Sequence, residues 1–193
     1  LEMNLIEITG QPCSGKTTLL NSYVFDGIKP QIYKQGLVLK LMNFIRGVIY
    51  LRYKARLLLS WSLKEKGSFA FRMNIFGNAV SKFGIFVDLK RNYSESNHTM
   101  IVDEGISHLP FLFQNTKTSN VLSLYMSELK EVEVIFLPNP GTSTIKERLK
   151  FRGHKRLKYL RLDSFISRNS DIECQLIDQY THSSKNLSIF RDG

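Results

Sequence analysis

Residues 10 to 17 read Gly10-Gln11-Pro12-Cys13-Ser14-Gly15-Lys16-Thr17, which matches the spacing G-x-x-x-x-G-K-[ST] in full. Such a loop suits a polyphosphate. The glycines at 10 and 15 allow backbone N–H groups to wrap dense negative charge, and the helix that starts behind them adds its positive end. Lys16 is the cation that would reach the outer phosphates, and the Thr17 hydroxyl is the Mg²⁺ ligand, with Thr18 as a further phosphate contact.

A second group of residues could complete that chemistry. "MIVDEG", residues 100 to 105, is an apolar strand ending in two acids. Strand C-termini of a parallel sheet open into the crevice where ligands bind. Asp103 is there to hold Mg²⁺. Asp103 and Glu104 are both candidates to take a proton from an attacking hydroxyl. A third group is the basic stretch "IKERLKFRGHKRLKYLR", residues 145 to 161, in which Arg148, Arg152 and Arg156 recur every fourth residue. If the helix continues they share one face. Gly153 is a point at which it could stop and aim Arg156 elsewhere. Cations on such a segment suit a phosphoryl group in transfer, whose charge spreads over its oxygens.

The elements that must position these residues follow from periodicity. Leu5 to Ile8 is a short buried strand, and a helix runs from Gly15 to about Phe25, ending at Asp26-Gly27. Gln31-Ile32-Tyr33 is a short strand within a loop. One helix is expected from Leu37 to about Lys64; its polar stripe of Lys40, Asn43 and Gly47 is narrow, so most of it should be covered. A second long helix spans about Phe69 to Leu89, and Asn92 to Asn97 is a polar loop. Thr99 to Asp103 and Val132 to Leu137 are strands, and Thr118 to Lys130 is helical. Thr142 or Ser143 caps a helix to Phe151, Ser170 or Asp171 caps another to about Thr181, and Leu187 to Phe190 is a last strand. Short apolar strands alternating with helices imply an α/β fold, a mainly parallel sheet with helices on both faces in three layers. The whole of 1–193 reads as one domain, with acceptor-side helices at about 37–90 and a basic helical lid at about 142–161.

Composition narrows the partners. The 193 residues carry 27 Lys+Arg against 17 Asp+Glu, a net charge of +10, which favours anionic partners: nucleotides, phosphosugars, nucleic acid or an acidic membrane surface. No internal repeat or low-complexity segment is visible. Two cysteines, Cys13 and Cys174, with Cys13 inside the glycine loop, point to a reduced, cytoplasmic compartment rather than a disulfide. Leu1-Glu2 ahead of Met3 reads as a cloning remnant, with no signal peptide before the first strand. The oiliest stretch, Leu37 to Leu63, is interrupted by Lys40, Arg46, Arg52, Lys54 and Arg56, which argues against a membrane span.

The order of these motifs resembles the P-loop kinases of nucleosides and nucleotides, in particular the thymidylate kinase and deoxynucleoside kinase group. The resemblance rests on the phosphate loop, on "VDEG", and on "VIFLPNP" followed by "TIKERLKFRG", in which Leu137, Pro140, Glu147, Arg148, Arg152 and Gly153 match hhhL-x-x-P and E-R-x-x-x-R-G. It implies a five-stranded parallel core of order 2-3-1-4-5 and transfer of the γ-phosphoryl group of ATP, with Mg²⁺, to a hydroxyl or phosphate. It also implies that Arg148 packs over adenine while Arg152 and Arg156 contact phosphates. Two departures stand out. Members of the thymidylate kinase group usually carry Asp-Arg where this chain has Asp103-Glu104, and no carboxylate occurs between Gly27 and Lys40, where deoxynucleoside kinases place a base. The acceptor site is expected between the two long helices and the sheet edge, with Arg52, Arg56, Arg72, Asn74 and Asn78 as candidates.

Other functions stay open at this level. The acceptor of such a kinase could be a sugar or glycan precursor. A P-loop NTPase acting as switch or motor is a second class, though no Asn-Lys-x-Asp and no Leu-Ser-Gly-Gly motif occurs. A nucleic-acid-binding protein, including a polynucleotide 5′-kinase, is a third, although no basic motif interleaved with aromatic residues is present. A homodimer is compatible with all of these.

Overall fold

Alternating side chains explain the sheet. In β1 (Leu5–Gly10) every residue is buried. Leu5 packs into one apolar cluster, Ile6 and Ile8 into another on the opposite face. The computed structural model describes residues 5–23, 30–34, 36–93, 99–183 and 187–189. The expected end of the first helix at Asp26-Gly27, most of the Asn92–Asn97 loop, Leu1-Glu2-Met3 and Phe190 lie outside them.

Five parallel strands are described: β1, β2 (Gln31–Ile32), β3 (Met100–Asp103), β4 (Glu133–Leu137) and β5 (Leu187–Ile189), in the order β2-β3-β1-β4-β5. This is the expected α/β class and strand order. β1 lies at the centre, with Ile6 opposite Ile101 on one side and Ile8 opposite Ile135 on the other. Crossover helices cover both faces. The smaller layer packs Leu19 and Leu20 of α1 (Lys16–Ser22) on Ile6, Ile8, Ile101 and Ile135. The larger layer carries α2 (Leu37–Leu51), α3 (Lys54–Lys64), α4 (Phe69–Tyr93), α5 (Leu109–Leu112), α6 (Thr118–Ser123) and α7 (Met126–Leu129). The chain then runs through α8 (Thr142–Arg152) and α9 (Leu162–Ser183). No helix among the described residues is long and apolar enough to cross a membrane.

Several expected elements are redrawn. The single helix expected over Leu37–Lys64 is two, broken where Arg52 takes φ 48°. No Gly or Pro marks the break in sequence. It accompanies burial of Leu58 and Trp61 of α3, Trp61 meeting Phe113 edge-on at 5.7 Å. The helix expected over Thr118–Lys130 divides into α6 and α7 around Leu124 and Tyr125, both buried. α9 does not start at Ser170 or Asp171. It begins at Leu162, because Phe165, Ile166, Ile172, Leu176 and Tyr180 form one continuous buried stripe. Neither Thr142 nor Ser143 caps α8. The residue ahead of it is Gly141, whose N–H is taken by the Asn139 side chain at 2.8 Å.

The largest correction concerns α2. The expected cover on most sides is absent, and two members of the polar stripe, Asn43 and Gly47, are the buried ones, while Lys40 is exposed. Asn43, Gly47 and Leu51 face inward, while Leu37, Leu41 and Ile49 are 86%, 62% and 67% exposed. Two glycines set this orientation. Gly47 lies against the Val80 carbonyl of α4 and Gly84 of α4 lies against the Asn43 carbonyl, so a Cβ at either position would strike backbone. A polar network fixes the crossing: Asn43 donates to the Tyr33 hydroxyl at 2.9 Å, Tyr33 donates to Asp88 at 2.8 Å, and Arg46 pairs with Asp88 at 2.6 Å. Close backbone contact and satisfied polar groups outweigh the pull of an oily face toward the core.

Candidate functional site

The glycine loop leaves β1 and enters α1. Gly10 has φ 145°, and a Cβ there would lie 2.5 Å from the Leu137 carbonyl and 3.1 Å from Ser14 Oγ. Only glycine fits so close to β4 in that conformation. Cys13 (φ 67°) and Glu104 (φ 58°) are non-glycine residues at the site that also take positive φ. Non-glycine residues in that region carry strain, which collects where geometry serves a ligand.

The loop is anchored from behind. Gln11 is fully buried and donates to Glu173 of α9 at 2.7 Å, and Glu173 also accepts the Asn139 N–H at 2.7 Å. One carboxylate therefore ties the loop to the end of β4.

Lys16 sits at the focus. Its ammonium is 3.0 Å from the Gly10 carbonyl, 2.9 Å from the Gln11 carbonyl and 3.1 Å from Glu104 Oε1. Glu104 follows β3, its N–H bonded to the Ile8 carbonyl at 3.0 Å. The turn after it is held by Glu7 of β1, a carboxylate that accepts the N–H groups of Ile106 at 3.0 Å and Ser107 at 2.8 Å. Gly105 packs directly on that carboxylate with no room for a side chain. Lys82 of α4 donates to the Glu104 carbonyl, and His108 Nε2 is 3.4 Å from Glu104 Oε2.

Two cavities meet here. The first, about 350 Å³, is lined by the loop and α1, by Asp103, Glu104 and His108, by Arg152 at the end of α8, and by His154 and Arg156 beyond it. The second, about 330 Å³, is lined by Tyr33, by Asn78, Ser81, Lys82 and Ile85 of α4, and by Val102, Asp103, Glu104 and Leu112. Asp103 and Glu104 belong to both.

The electrostatics separate the two acids. Burial raises Asp103, and the neighbouring Glu104 charge raises it further, above the usual carboxylate value. Burial also pushes Glu104 up, but His108, Lys16 and Lys82 together outweigh it and hold Glu104 well below its usual value. Burial pushes His108 well below the ordinary imidazole value, against the raising influence of Glu104. Burial likewise lowers Lys82, against the raising influence of Glu104, Glu7 and Asp103.

These directions predict a pH dependence of stability. A carboxylate depressed in the fold stabilises it above the unfolded-state value near 4.5, and that contribution is lost as pH falls through the folded value. Glu104→Gln should therefore flatten the acid-side decline in urea midpoint below pH 4.5, leaving the slope between pH 6 and 8 unchanged. Equal acid-side slopes in variant and parent would refute the assignment.

The sequence-expected residues divide clearly. Pro12, Cys13, Gly15, Lys16, Thr17, Thr18, Asp103, Glu104, Arg152 and Arg156 all line the first cavity. Gly10, Gln11 and Ser14 are buried members of the loop that do not line that cavity. Arg148 donates to the Cys13 carbonyl at 2.9 Å instead of lining the cavity. The helix stops at Gly153, so Arg156 leaves the face of Arg148 and Arg152. Two of its donors are spent on the carbonyls of Phe111 (3.0 Å) and Leu112, which makes it an anchor for the segment after α8. Of the acceptor candidates only Asn78 lines the second cavity. Arg52, Arg56 and Asn74 are exposed and Arg72 is half-buried, and none of the four lines it.

Residues that sequence reasoning did not single out are Tyr33, Ser81, Lys82, His108 and His154, together with Glu7. The spacing Asn74-Asn78-Lys82 puts Lys82 on the helix face of Asn78 and was the available signal. No family model matches the chain, and no curated protein matches it.

Proposed function

We propose that the protein is an ATP- and Mg²⁺-dependent phosphotransferase acting on a small hydroxyl-bearing acceptor. The observation that carries this reading is the pair of adjoining cavities, one under the glycine loop with Lys16, the other against α4, meeting at Asp103 and Glu104. Donor and acceptor bound on either side of these acids would bring the γ-phosphorus near the nucleophile.

The residues fit the metal that such a reaction uses. Among the described residues no three His, Cys, Asp or Glu side chains are grouped to hold a metal by themselves. The Thr17 hydroxyl and the two carboxylates form an all-oxygen set on one cavity, which suits Mg²⁺ bound mainly through phosphate and water. Bound there, Mg²⁺ would offset charge on the triphosphate.

In the proposed reaction the acceptor oxygen forms a bond to the γ-phosphorus while the bond to the β-phosphate oxygen breaks, releasing ADP. The hydroxyl proton passes to Asp103, whose raised affinity for protons suits that role. Glu104 stays ionised and holds Lys16 in place. Arg152, exposed along the first cavity, is the cation available to the moving phosphoryl group.

The acceptor cavity carries one cation, Lys82, against two carboxylates, and Arg52, Arg56 and Arg72 do not line it. That balance favours a neutral hydroxyl compound, a nucleoside or sugar, over a phosphate.

The test is ADP release from ATP and Mg²⁺ across a panel of nucleosides, nucleotides and sugars. One neutral acceptor should stimulate release, and Asp103→Asn should lower that stimulated rate by roughly 10²-fold while leaving nucleotide binding in place. An unchanged rate in Asp103→Asn would sink the assignment. Tight, steeply salt-dependent binding to a generic oligonucleotide without acceptor stimulation would favour the nucleic-acid reading.

A further inference from the structure

The outward face of α2 has no part in the site. Leu37, Val38, Leu41, Ile45, Val48 and Ile49 form a continuous exposed apolar surface on the side opposite Asn43, Gly47 and Leu51. A face this oily, left bare along a whole helix, marks an interaction surface.

Charge identifies what it meets. Residues 37 to 64 contain six cations, Lys40, Arg46, Arg52, Lys54, Arg56 and Lys64, and no carboxylate. Arg46 is committed to Asp88 and Lys54 reaches the Leu124 carbonyl, but Lys40, Arg52, Arg56 and Lys64 are exposed. Tyr53, 73% exposed, follows Arg52 at the C-terminal end of the same helix. An exposed apolar helix face, with exposed basic heads and an aromatic ring on the same helix, the turn after it and the next helix, matches the boundary between lipid headgroups and acyl chains. Two copies of this chain packed through the same face would bring these cations together with no carboxylate in 37–64 to pair them. The net charge of +10 adds to the attraction for an anionic surface.

We propose that α2 docks the protein onto an anionic lipid bilayer, the helix lying in the plane of the interface. At 15 residues it is about 22 Å long, sufficient to rest in the interface and too short to span it. This surface stands independently of the phosphotransferase reading.

The test is co-sedimentation of the full chain with vesicles of phosphatidylcholine alone, or with about 30% phosphatidylglycerol added. Binding should be at least about tenfold tighter to the anionic vesicles and should weaken as salt rises from about 50 to about 500 mM. Leu41→Ser/Ile45→Ser should lose binding by at least about tenfold, with an unchanged melting temperature because both side chains are solvent-exposed. Lys40→Gln/Arg52→Gln should reduce the preference for anionic over neutral vesicles. The proposal is overturned if the parent stays in the supernatant with both vesicle types, or if the serine variant sediments like the parent. It is equally overturned if the parent elutes as a dimer that the serine variant converts to monomer, since the face then belongs to a second copy.

Discussion

Lys16→Ala is expected to lower acceptor-stimulated ADP release by roughly 10²–10³-fold in kcat/KM. The Lys16 side chain is 7% exposed, and three oxygen partners hold its ammonium at the loop. In the proposed reaction a triphosphate in the first cavity would compete with Glu104 for this cation, and the ion pair at 3.1 Å would keep Lys16 oriented until then. Alanine would remove the charge proposed to face the phosphates and would also leave Glu104 without its nearest cation. Effects of Lys16→Ala and Glu104→Gln should thus be less than additive, because the second substitution removes a partner already lost. Steady-state kinetics on the two single variants and the double variant check both statements. A Lys16→Ala enzyme with parental turnover would end the phosphotransferase reading.

Glu7→Ala is expected to destabilise the fold by about 3–5 kcal/mol, the largest effect of any single change away from the cavities. Glu7 is 2% exposed on the centre strand, and its carboxylate serves two buried N–H groups at 2.8 and 3.0 Å. Truncation would orphan both amides, open a space beside Gly105 and remove a negative neighbour of Lys82. Glu7→Gln keeps the shape and one acceptor oxygen, so its cost should be smaller, about 1–2 kcal/mol. Urea unfolding of the three proteins measures the ordering. An alanine variant as stable as the parent would show that the turn after Asp103 does not depend on this carboxylate.

Both predictions concern residues whose partners are distant in sequence, and this sets how far the chain could be read directly. The loop at 10–17 was legible because its meaning lies in spacing: eight consecutive residues define a turn between a strand and a helix. The strands were legible because burial on both faces demands short apolar runs, and β1, β3 and β4 have them within a residue or two of the expected limits. The break at Arg52 was not, since no Gly or Pro announces it and Arg52 adopts a left-handed φ only where tertiary packing holds it. Glu7 was passed over as part of an apolar strand, because a carboxylate at a core position makes sense only once the N–H groups of Ile106 and Ser107 are beside it. Arg52, Arg56 and Arg72 are suitable by type for an anionic acceptor, but none of them lines the second cavity, where Lys82 stands instead.

What the amino-acid sequence determined by itself was local: the spacing of the glycine loop, the acids at the end of β3, the basic run on α8 and the alternation that yields an α/β sheet. These depend on neighbours along the chain, whose geometry is set by periodicity and sterics. Tertiary structure alone decided which side of each helix faces inward. On α2 the close approach through Gly47 and Gly84 and the Asn43–Tyr33–Asp88–Arg46 network turned the oily face outward, contrary to what hydrophobicity implies. The same kind of long-range contact spent Arg156 on the carbonyls of Phe111 and Leu112 and brought Lys82 beside Asp103 and Glu104. Side-chain type is written in the chain, but its direction follows from backbones that meet only when the sheet and its helices have packed.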